Sequence, residues 1–556
     1  MMVNLIRKQS PARIIAFGFI FVIIVGSVLL SLPFSVRDGV DLKYTDALYT
    51  STSAVCVTGL VVVDSYDTFT PVGQFILGAL IQIGGLGVTT MGAGIILVMG
   101  KKVDIKGRTL LKEALNMDTA KGLVRLIHKI FIVTLIFEGA GAIAGFLVFI
   151  RDYPFFRALG ISMFHSVAAF NNSGFDILGN NQNLINYSGN IALNIITCTL
   201  VFFGGIGFFV ICELWEKRFK WKKFSMHTRI VISVSIVLII AGALLLKITE
   251  NISWMGAFFM SVSARTAGFA TYSLGTFSKS GLLVLIILMI IGASPGSTGG
   301  GIKTSTFFAL IQGVKSAATN KSEKAFHYAV PKEAFRKASV IMILAMCVVT
   351  VGSYLMGIFE PDIDFIDILF EVASAFGTAG LSTGITQQIG IAGKLLSIVI
   401  MYIGRLGPLT IATLWHFSKG EVPVVNNCNI TSYCNDEYYF INADEEWLLE
   451  AFINIVQNCS EEAENVDINA VCNADKCIIT IKDDGNGIAK DKLDNIFNRF
   501  ESGKSYNSLH TGIGLNLSKL IIEAHHGSVS VNNNEDGRGV SFRIIIPKYN
   551  MKRKAK

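Results

Sequence analysis

The chain has 556 residues, of which 51% are hydrophobic and 16% are charged. Its mean hydropathy of +0.54 excludes an ordinary water-soluble protein, and several apolar runs are long enough to cross a bilayer. The formal net charge of +7 is concentrated in loops between those runs, which is typical of the cytoplasmic side of a membrane protein. We therefore expect a multi-pass protein of the cytoplasmic membrane that contacts membrane lipid, binds no nucleic acid and has both termini in the cytoplasm.

The character of the sequence changes near residue 420. Up to "LWHFSKG" apolar runs dominate, whereas beyond it Asn, Asp and Glu are frequent until the basic tail "KYNMKRKAK". We expect a membrane domain over 1–420, a linker over 421–443 and a soluble domain over 444–556. The nine cysteines lack the paired spacing of a zinc site, and we interpret them as small buried side chains.

The membrane domain repeats one pattern four times: an apolar span, a shorter helical piece, a polar segment ending at a glycine, and a second span. The repeats are expected at about 13–99, 127–213, 229–311 and 338–416. Their paired spans are expected at 13–34 and 74–99, 127–150 and 190–213, 229–247 and 281–311, and 338–359 and 394–416. Of these spans, 281–311 is expected to be broken.

The four polar segments end in Gly59, Gly174, Gly268 and Gly380. Non-helical backbone at membrane depth is tolerated where protein buries it or water lines it, so four such segments indicate a central aqueous pore. Glycine lets successive carbonyls point to one axis, and a ring of carbonyls can replace the hydration shell of K⁺. The candidate ion-binding residues are Val57, Thr58, Gly59, Asn172, Ser173, Gly174, Thr266, Ala267, Gly268, Thr378, Ala379 and Gly380.

The stretch "GASPGSTGGGIKTST" at 292–306 interrupts the second span of the third repeat. It is not a phosphate-binding P-loop, because Ile302 separates Gly301 from Lys303 and no strand precedes it. Its glycines lower the cost of rearranging the backbone, and its hydroxyls can bond unpaired backbone groups or passing ions.

The motifs "TSAVCVTGLVVVD", "QIGGLGVTTM", "FHSVAAFNNSGFDI", "SVSARTAGF", "GASPGSTGGGIKTST", "FGTAGLSTG" and "GRLGPLT" resemble the Trk/Ktr/HKT superfamily of potassium transporters. The resemblance is closest to the Ktr-type membrane subunit and covers about 11–416. It implies an α-helical polytopic fold in which four membrane-pore-membrane repeats surround one pore, usually in a homodimer. It also implies a partner, a separate cytosolic ring that binds nucleotide. Glycine at all four filter positions points to K⁺ in this family.

The same resemblance implies a gate below the filter. Its residues would be Gly296, Ser297, Thr298, Gly299, Gly300, Gly301 and Arg405. Two simpler interpretations stay open, a glycine kink at a helix contact for the break and an arginine that reaches the membrane interface for Arg405. Glu138 either pairs structurally or faces the pore. A group of acidic residues either raises the local cation concentration or belongs to a solvated loop: Asp38, Asp41, Asp46, Asp64 and Asp67.

The soluble domain carries "DEEWLLEAFINIVQNCSEEAE", "CIITIKDDGNGI", "KLDNIFNRFES" and "HTGIGLNLSKLIIEAHHG" in that order. These resemble, over about 444–547, the ATP-binding domain shared by histidine kinases and gyrases, an α/β sandwich with a mixed sheet. By that resemblance Asn458 would bind Mg²⁺. The residues implied to hold ATP are Asn454, Asp483, Gly485, Gly487, Phe500, Gly512 and Gly514, with Phe497 beside Phe500 in the same motif.

The eight histidines include none in the context of a kinase phosphoacceptor, and 417–443 is too short for a dimerising helical hairpin. We therefore expect a transporter that takes up K⁺, either passively or with stimulation by Na⁺, and that is regulated by ATP. Two alternatives stay open. One is a membrane sensor kinase that uses the pore body as an ion detector and phosphorylates a partner in trans, and the other is a fusion without coupling.

Overall fold

The computed structural model describes residues 11–98, 123–218, 220–319, 324–325, 328–329, 332–413, 429–434, 445–460, 463–473, 476–489, 493, 495–497, 514–534 and 538–547. The chain divides into two compact units, Met1–His416 and Phe417–Lys556. The linker expected at 421–443 lies outside the described residues except for 429–434.

The membrane unit is almost entirely helical. Its helices in chain order are α1 (Pro11–Ser31), α2 (Tyr44–Val55), α3 (Ser65–Thr68), α4 (Pro71–Leu86), α5 (Val88–Val98), α6 (Leu123–Phe149), α7 (Phe155–Phe170), α8 (Ile191–Ile206), α9 (Phe208–Glu216), α10 (Met226–Thr249), α11 (Trp254–Ala264), α12 (Lys279–Ile290), α13 (Thr304–Thr319), α14 (Lys332–Phe359), α15 (Phe365–Gly377), α16 (Ile391–Leu406) and α17 (Pro408–Thr413). A short antiparallel pair, β1 (Lys324–Ala325) and β2 (Tyr328–Ala329), lies between α13 and α14.

The four repeats are visible in this order of helices. The first spans α1, α6, α10 and α14 each contain a segment long and apolar enough to cross a membrane. The shorter helices α2, α7, α11 and α15 each end just before one of the filter glycines, and their C-terminal halves are buried. Three second spans begin at a side-chain cap, because Thr70, Asn190 and Ser278 each accept a hydrogen bond from the backbone N–H three residues on.

The expectation of continuous spans at 74–99, 190–213 and 394–416 was wrong. Each of these spans is broken at a glycine with φ near 90°: Gly87 at 85°, Gly207 at 94° and Gly407 at 89°. At Gly207 the axes of α8 and α9 differ by 99°. An average over apolar residues cannot detect such a break, because Leu86, Ile206 and Leu406 keep the run apolar while the glycine alone permits the turn. Every second span of the four repeats is therefore interrupted.

The first and fourth repeats meet and close the bundle. Lys394 of α16 forms an ion pair of 2.7 Å with Asp46 of α2. The hydroxyl of Tyr402 donates to the carbonyl of Ala16 in α1 at 2.8 Å. The pairing of both ends of the membrane unit gives the repeats a cyclic arrangement.

The C-terminal unit contains α18 (Glu445–Ser460), α19 (Gly514–Ala524) and five strands, β3 (Asn429–Cys434), β4 (Asn465–Cys472), β5 (Lys476–Asp483), β6 (Ser528–Asn533) and β7 (Val540–Pro547). The strand order is β3-β4-β5-β7-β6, with β3 parallel to β4 and the other neighbours antiparallel. This is the mixed sheet predicted from the sequence. The core includes Phe542 and Ile544 of β7 and Ile455 of α18. Cys472 and Cys477 are buried, as interpreted from the sequence, but are bonded to each other across β4 and β5. Cys347 is exposed, so the interpretation of the cysteines as small buried side chains was wrong for that residue.

Candidate ion path and nucleotide site

The four predicted filter glycines lie against one another in a closed ring. A Cβ atom added to Gly174 would lie 2.6 Å from the carbonyl oxygen of Ala267, and one added to Gly268 would lie 2.8 Å from that of Ala379. A Cβ atom on Gly380 would overlap the carbonyl oxygen of Thr58, and one on Gly59 would overlap that of Ser173. Each glycine therefore touches the carbonyl that precedes the glycine of the next repeat, and the fourth repeat touches the first.

The backbone before each glycine leaves the helix in nearly the same way in three repeats. Val57, Asn172 and Thr378 have φ of 57°, 58° and 49°, a left-handed conformation that is rare for β-branched residues such as valine and threonine. The next N–H bonds five residues back, as from Thr58 to the carbonyl of Ser53 at 2.7 Å. The surrounding structure must hold Val57 and Thr378 in this conformation, because each is strained by about 1–3 kcal/mol, whereas asparagine adopts it more readily.

The third filter segment is one residue shorter than the others. Five positions separate Ser263 from Gly268, whereas six separate Ser53 from Gly59. Accordingly the N–H of Ala267 bonds four residues back, to the carbonyl of Ser263 at 2.8 Å. The side-chain amide of Asn172 bonds the hydroxyl of Thr266 at 2.8 Å, which ties the second segment to this shorter one.

Two cavities lie on opposite sides of the ring. We call the first the vestibule; it has a volume of about 200 Å³, and its lining includes Gly59, Gly268 and Gly380 together with Asp64 and Asp176. We call the second the gate-side cavity; it has a volume of about 360 Å³, and its lining includes Gly296, Gly299, Gly301, Lys303 and Arg405. The break in the third repeat therefore lies beside one cavity and the filter glycines beside the other.

The break is anchored to the neighbouring repeats. Ser294 donates its backbone N–H to the carbonyl of Gly205 at 3.0 Å, and Thr298 donates its backbone N–H to Gly204 at 3.3 Å. The N–H of Gly300 donates to the hydroxyl of Thr378 at 2.9 Å. A Cβ atom on Gly299 would lie 2.7 Å from Cγ2 of Thr266, so the loop packs directly against two filter segments. A simple kink at a helix contact does not need this set of bonds.

Two half-buried basic side chains hold the break. Arg405 donates to the carbonyl of Thr298 in the break and to those of Gly84 and Gly85 in the first repeat. Its contacts lie inside the bundle, in contrast to the alternative of a side chain that reaches the membrane interface. Lys303 donates to the carbonyl of Gly299 at 2.7 Å. Sequence reasoning did not assign Lys303 to the gate, although its place next to the glycine run was a signal.

The acidic residues near the first filter segment have different roles. Asp46 pairs with Lys394, and Asp64 accepts the backbone N–H groups of Tyr66 and Asp67 at 2.8 Å each. Asp64 also lines the vestibule. Asp176 lines the same cavity two residues after Gly174, and the sequence analysis overlooked it.

In the C-terminal unit, Asp483 ends β5 and is 5% exposed. Its Oδ1 accepts the N–H groups of Gly485 and Val540, both at 3.1 Å. These two bonds fix the carboxylate. Among the described residues no hydrogen bond is made to its second oxygen, so that oxygen is available to a ligand. Asn534 donates to the carbonyl of Asp483 at 2.7 Å, and Gly539 packs against the same carbonyl, two supports that the motifs did not reveal.

Asn454 and Asn458 lie one turn apart on α18, as their spacing predicts. Nδ2 of Asn458 donates to the carbonyl of Asn454 at 2.6 Å, and the Asn458 side chain is otherwise exposed. Gly514 begins α19 beside Asn454, because a Cβ atom added to it would lie 3.7 Å from the Asn454 Oδ1 atom. A helix N-terminus beside amide oxygens suits phosphate and Mg²⁺.

Gly487 has φ of 75° in the turn after β5, where a side chain would be strained. Phe497 is 8% exposed and packs in the core of the unit. Phe500 and Gly512, also predicted to hold ATP, lie outside the described residues.

Comparison with known proteins identifies both parts of the chain. Residues 18–246 and 224–419 match the family TrkH, described as cation transport protein. Residues 443–550 match the histidine kinase-, DNA gyrase B- and HSP90-like ATPase family.

Among curated relatives, the Ktr system potassium uptake protein B of Bacillus subtilis is 36% identical over 74% of this chain and 94% of its own. The potassium/sodium uptake protein NtpJ of Enterococcus hirae is 35% identical over 73% and 92%. The crystal structure of the potassium transporter TrkH from Vibrio parahaemolyticus has the same fold, with a TM-score of 0.58, 20% identity and coverage of 73% of this chain and 86% of its own. The chain therefore belongs to the TrkH/Ktr family of cation transport proteins and carries a histidine-kinase-like ATPase domain at its C-terminal side.

Proposed function

We propose that this chain carries K⁺ into the cell through the ring formed by Gly59, Gly174, Gly268 and Gly380. The observation that supports this most is the closure of the ring, in which each glycine lies against the carbonyl of the next repeat. A dehydrated monovalent cation needs several backbone oxygens at one level, and four converging segments supply them. The names of the two curated relatives both include potassium uptake.

The charge pattern of the sequence supports one orientation of the chain in the membrane. The loops with most Lys and Arg join the spans on the gate side, which the positive-inside rule assigns to the cytoplasm together with both termini. The vestibule would then face outward. Its carboxylates Asp64 and Asp176 would raise the local concentration of cations before they enter the filter.

The break between α12 and α13 would act as the gate. It rests directly under Thr266 and Thr378, and it is held by Arg405 and Lys303. The positive charge of Arg405 near the path repels K⁺ while the loop is in place. A rearrangement of the glycine-rich backbone would move the loop and these bonds out of the path.

The C-terminal unit would bind ATP and regulate the pore. Asp483 would accept the adenine amino group, Gly485 and Gly487 would let the base approach, and Asn454, Asn458 and Gly514 would face Mg²⁺ and the phosphates. The fixed Asp483 carboxylate and the exposed Asn458 side chain fit such a ligand. Bound Mg²⁺ would neutralise phosphate charge. The same unit leaves phosphorylation of a partner in trans as a second candidate function.

Stimulation by Na⁺ and assembly as a homodimer with a cytosolic nucleotide-binding ring belong to this proposal as well. The name of the Enterococcus relative, a potassium/sodium uptake protein, favours the role of Na⁺.

The test is rescue of a cell that lacks potassium uptake. We expect the full chain to restore growth at low K⁺, and a chain without residues 421–556 to restore it without dependence on ATP. We expect Asn458→Ala to change K⁺ flux at fixed ATP. Failure of the full chain to restore growth, while it is present in the membrane, would reject the potassium pathway. Labelled ATP that yields phosphoprotein after addition of an acceptor helix would support the kinase function.

A further inference from the structure

Three polar side chains, those of Gln82, Glu138 and Asn171, contact one another next to the second filter segment. We call them the polar triad. Asn171 follows α7 directly, precedes the filter residue Asn172 and is fully buried. Its Nδ2 atom lies 2.8 Å from Oε1 of Gln82 and 3.0 Å from Oε1 of Glu138. The triad thus joins α4 of the first repeat and α6 of the second to the start of the second filter segment.

The internal repeats show that Glu138 is not needed for packing. The hydroxyl of Ser166 on α7 donates to the backbone carbonyl of Glu138 at 2.6 Å. In the first repeat Ser51 makes the same bond to Ile23 at 2.7 Å, and in the third Ser261 makes it to Ile239 at 2.8 Å. Glu138 therefore occupies a position at which two other repeats place a buried isoleucine.

The other two members of the triad also replace apolar or small residues in two of the other repeats. Asn171 stands three residues before its filter glycine, where the first and fourth repeats have Cys56 and Gly377 and the third has the buried Arg265. Gln82 stands two residues before Gly84, and the second and fourth repeats have Phe202 and Tyr402 two residues before the equivalent Gly204 and Gly404. Polar groups inside a membrane protein are costly unless they are bonded, so three of them at one junction indicate a role beyond the fold.

The triad is linked to the ion path in two places, one in the filter and one at the break. The adjacent Asn172 bonds Thr266 of the third filter segment at 2.8 Å. The Asn171 side chain also occupies space that a Cβ atom at Gly85 would fill, and the carbonyl of Gly85 accepts from Arg405 at 3.3 Å. Displacement of the Asn171 side chain would therefore disturb the second and third filter segments and the contact between Gly85 and Arg405.

We propose that Glu138 is a positioning residue that sets cation selectivity by holding Asn171, and through it the second filter segment. The two hydrogens of the Asn171 amide are shared among Gln82, Glu138 and the carbonyl of Val167, which lies 2.9 Å away. Loss of the Glu138 acceptor frees this amide to turn, and the left-handed backbone at Asn172, with φ of 58°, loses its support. This inference rests on the proposed function of the glycine ring.

The experiment compares Glu138→Ala and Glu138→Gln in the full chain. Rubidium and sodium uptake would be measured at several concentrations in cells that lack other potassium uptake. Glu138→Gln keeps an acceptor oxygen, and we expect it to stay within about twofold of the wild-type rubidium-to-sodium ratio. We expect Glu138→Ala to lower that ratio about tenfold, the effect of losing one buried hydrogen bond, and to raise KM for rubidium.

Ile239→Ala is the matched control, because it truncates the side chain at the equivalent position of the third repeat. It should leave the ratio unchanged even where it lowers the amount of folded protein. Asn171→Leu should reproduce the effect of Glu138→Ala, and the double variant should add nothing further.

An unchanged ratio in Glu138→Ala, or an equal change in Ile239→Ala, would overturn the role of Glu138 while the wild-type chain still selects rubidium. A wild-type chain without selective uptake would instead overturn the proposed function, and this inference with it.

Discussion

The hydroxyl of Thr378 accepts a hydrogen bond of 2.9 Å from the backbone N–H of Gly300. One partner belongs to the fourth filter segment and the other to the break in the third repeat. A Cβ atom on Gly300 would overlap that hydroxyl, so glycine is required for this approach. The filter and the break are thus in direct contact, so a shift of one must displace the other.

We predict that Thr378→Val speeds rubidium uptake, because valine keeps the shape of threonine and leaves the N–H of Gly300 without its acceptor. The buried N–H then disfavours the present position of the break by about 1–3 kcal/mol. An increase of about fivefold in the maximal uptake rate is expected from the lower part of that range.

Thr378→Ser retains the hydroxyl and is the control for this effect. Equal maximal rates for the valine variant and the wild type would argue against a gate at this bond.

Much of the membrane fold could be predicted from the sequence, since the four glycine segments recur with the same apolar surroundings. The first spans, the short helices before the glycines and the break between α12 and α13 all follow from composition and turn residues. The breaks at Gly87, Gly207 and Gly407 could not be predicted from hydropathy, because one positive φ inside an apolar run does not change the mean hydropathy of the span.

The candidate sites could likewise be predicted only in part from the sequence. Motifs located the residues of the glycine ring and Asp483, because these lie in local sequence patterns. The contacts of Glu138 with Asn171 and of Arg405 with Thr298 join residues 33 and 107 positions apart, and only packing brings them together. A single sequence carries no signal for the partner of such a side chain.

We predict that Gly59→Ser weakens the preference for K⁺. The new Cβ atom would overlap the carbonyl oxygen of Ser173, and φ of 90° disfavours any side chain there. The displaced carbonyl coordinates the ion less well, and a fall of about tenfold in the rubidium-to-sodium flux ratio corresponds to about 1.4 kcal/mol.

Gly39→Ser is the control for backbone strain alone, because Gly39 has φ of 83° and no atom within 4 Å of an added Cβ among the described residues. An unchanged flux ratio in Gly59→Ser would count against the assignment of the first filter segment.

We predict that Asp46→Asn lowers the stability of the solubilised protein more than Glu216→Gln does. The Asp46–Lys394 pair has side chains that are 13% and 15% exposed and joins the first repeat to the fourth. The Lys129–Glu216 pair is 40% and 56% exposed. Exposed pairs contribute about 0–1 kcal/mol, whereas the loss of one partner of a buried pair costs about 3–5 kcal/mol.

Thermal unfolding in detergent measures this difference. We expect Asp46→Asn to lower the free energy of unfolding by an amount between the value for an exposed pair and the value for a buried pair. Equal melting temperatures for both variants would show that the Asp46–Lys394 pair does not hold the repeats together.

We predict that Asp483→Asn weakens ATP binding about tenfold or more. Asparagine can keep an oxygen for the N–H groups of Gly485 and Val540, so the turn is preserved. Its amide nitrogen then faces the adenine amino group, and two donors cannot pair. Binding of labelled nucleotide to the full chain measures the effect, with Asp467→Asn, at an exposed position of β4, as the control. Equal affinity in both variants would remove Asp483 from the nucleotide site.

We predict that Asp484 makes the start of β4 in the C-terminal sheet sensitive to acid. The backbone and side-chain N–H groups of Asn465 donate to the Asp484 carboxylate at 2.9 and 2.7 Å and lower its pKa. A lowered pKa means that the ionised form stabilises the fold at neutral pH, and that this contribution is lost as the pH falls through the acid range.

Hydrogen exchange along β4 in the full chain at neutral and acid pH, corrected for intrinsic rates, measures this loss. In Asp484→Asn the protection of Val466 should be lower at neutral pH and should change less on acidification than in the wild type. Asp467→Asn removes a carboxylate from the same strand and should retain the wild-type response. If Asp484→Asn also retained it, the acid sensitivity would have to come from another group.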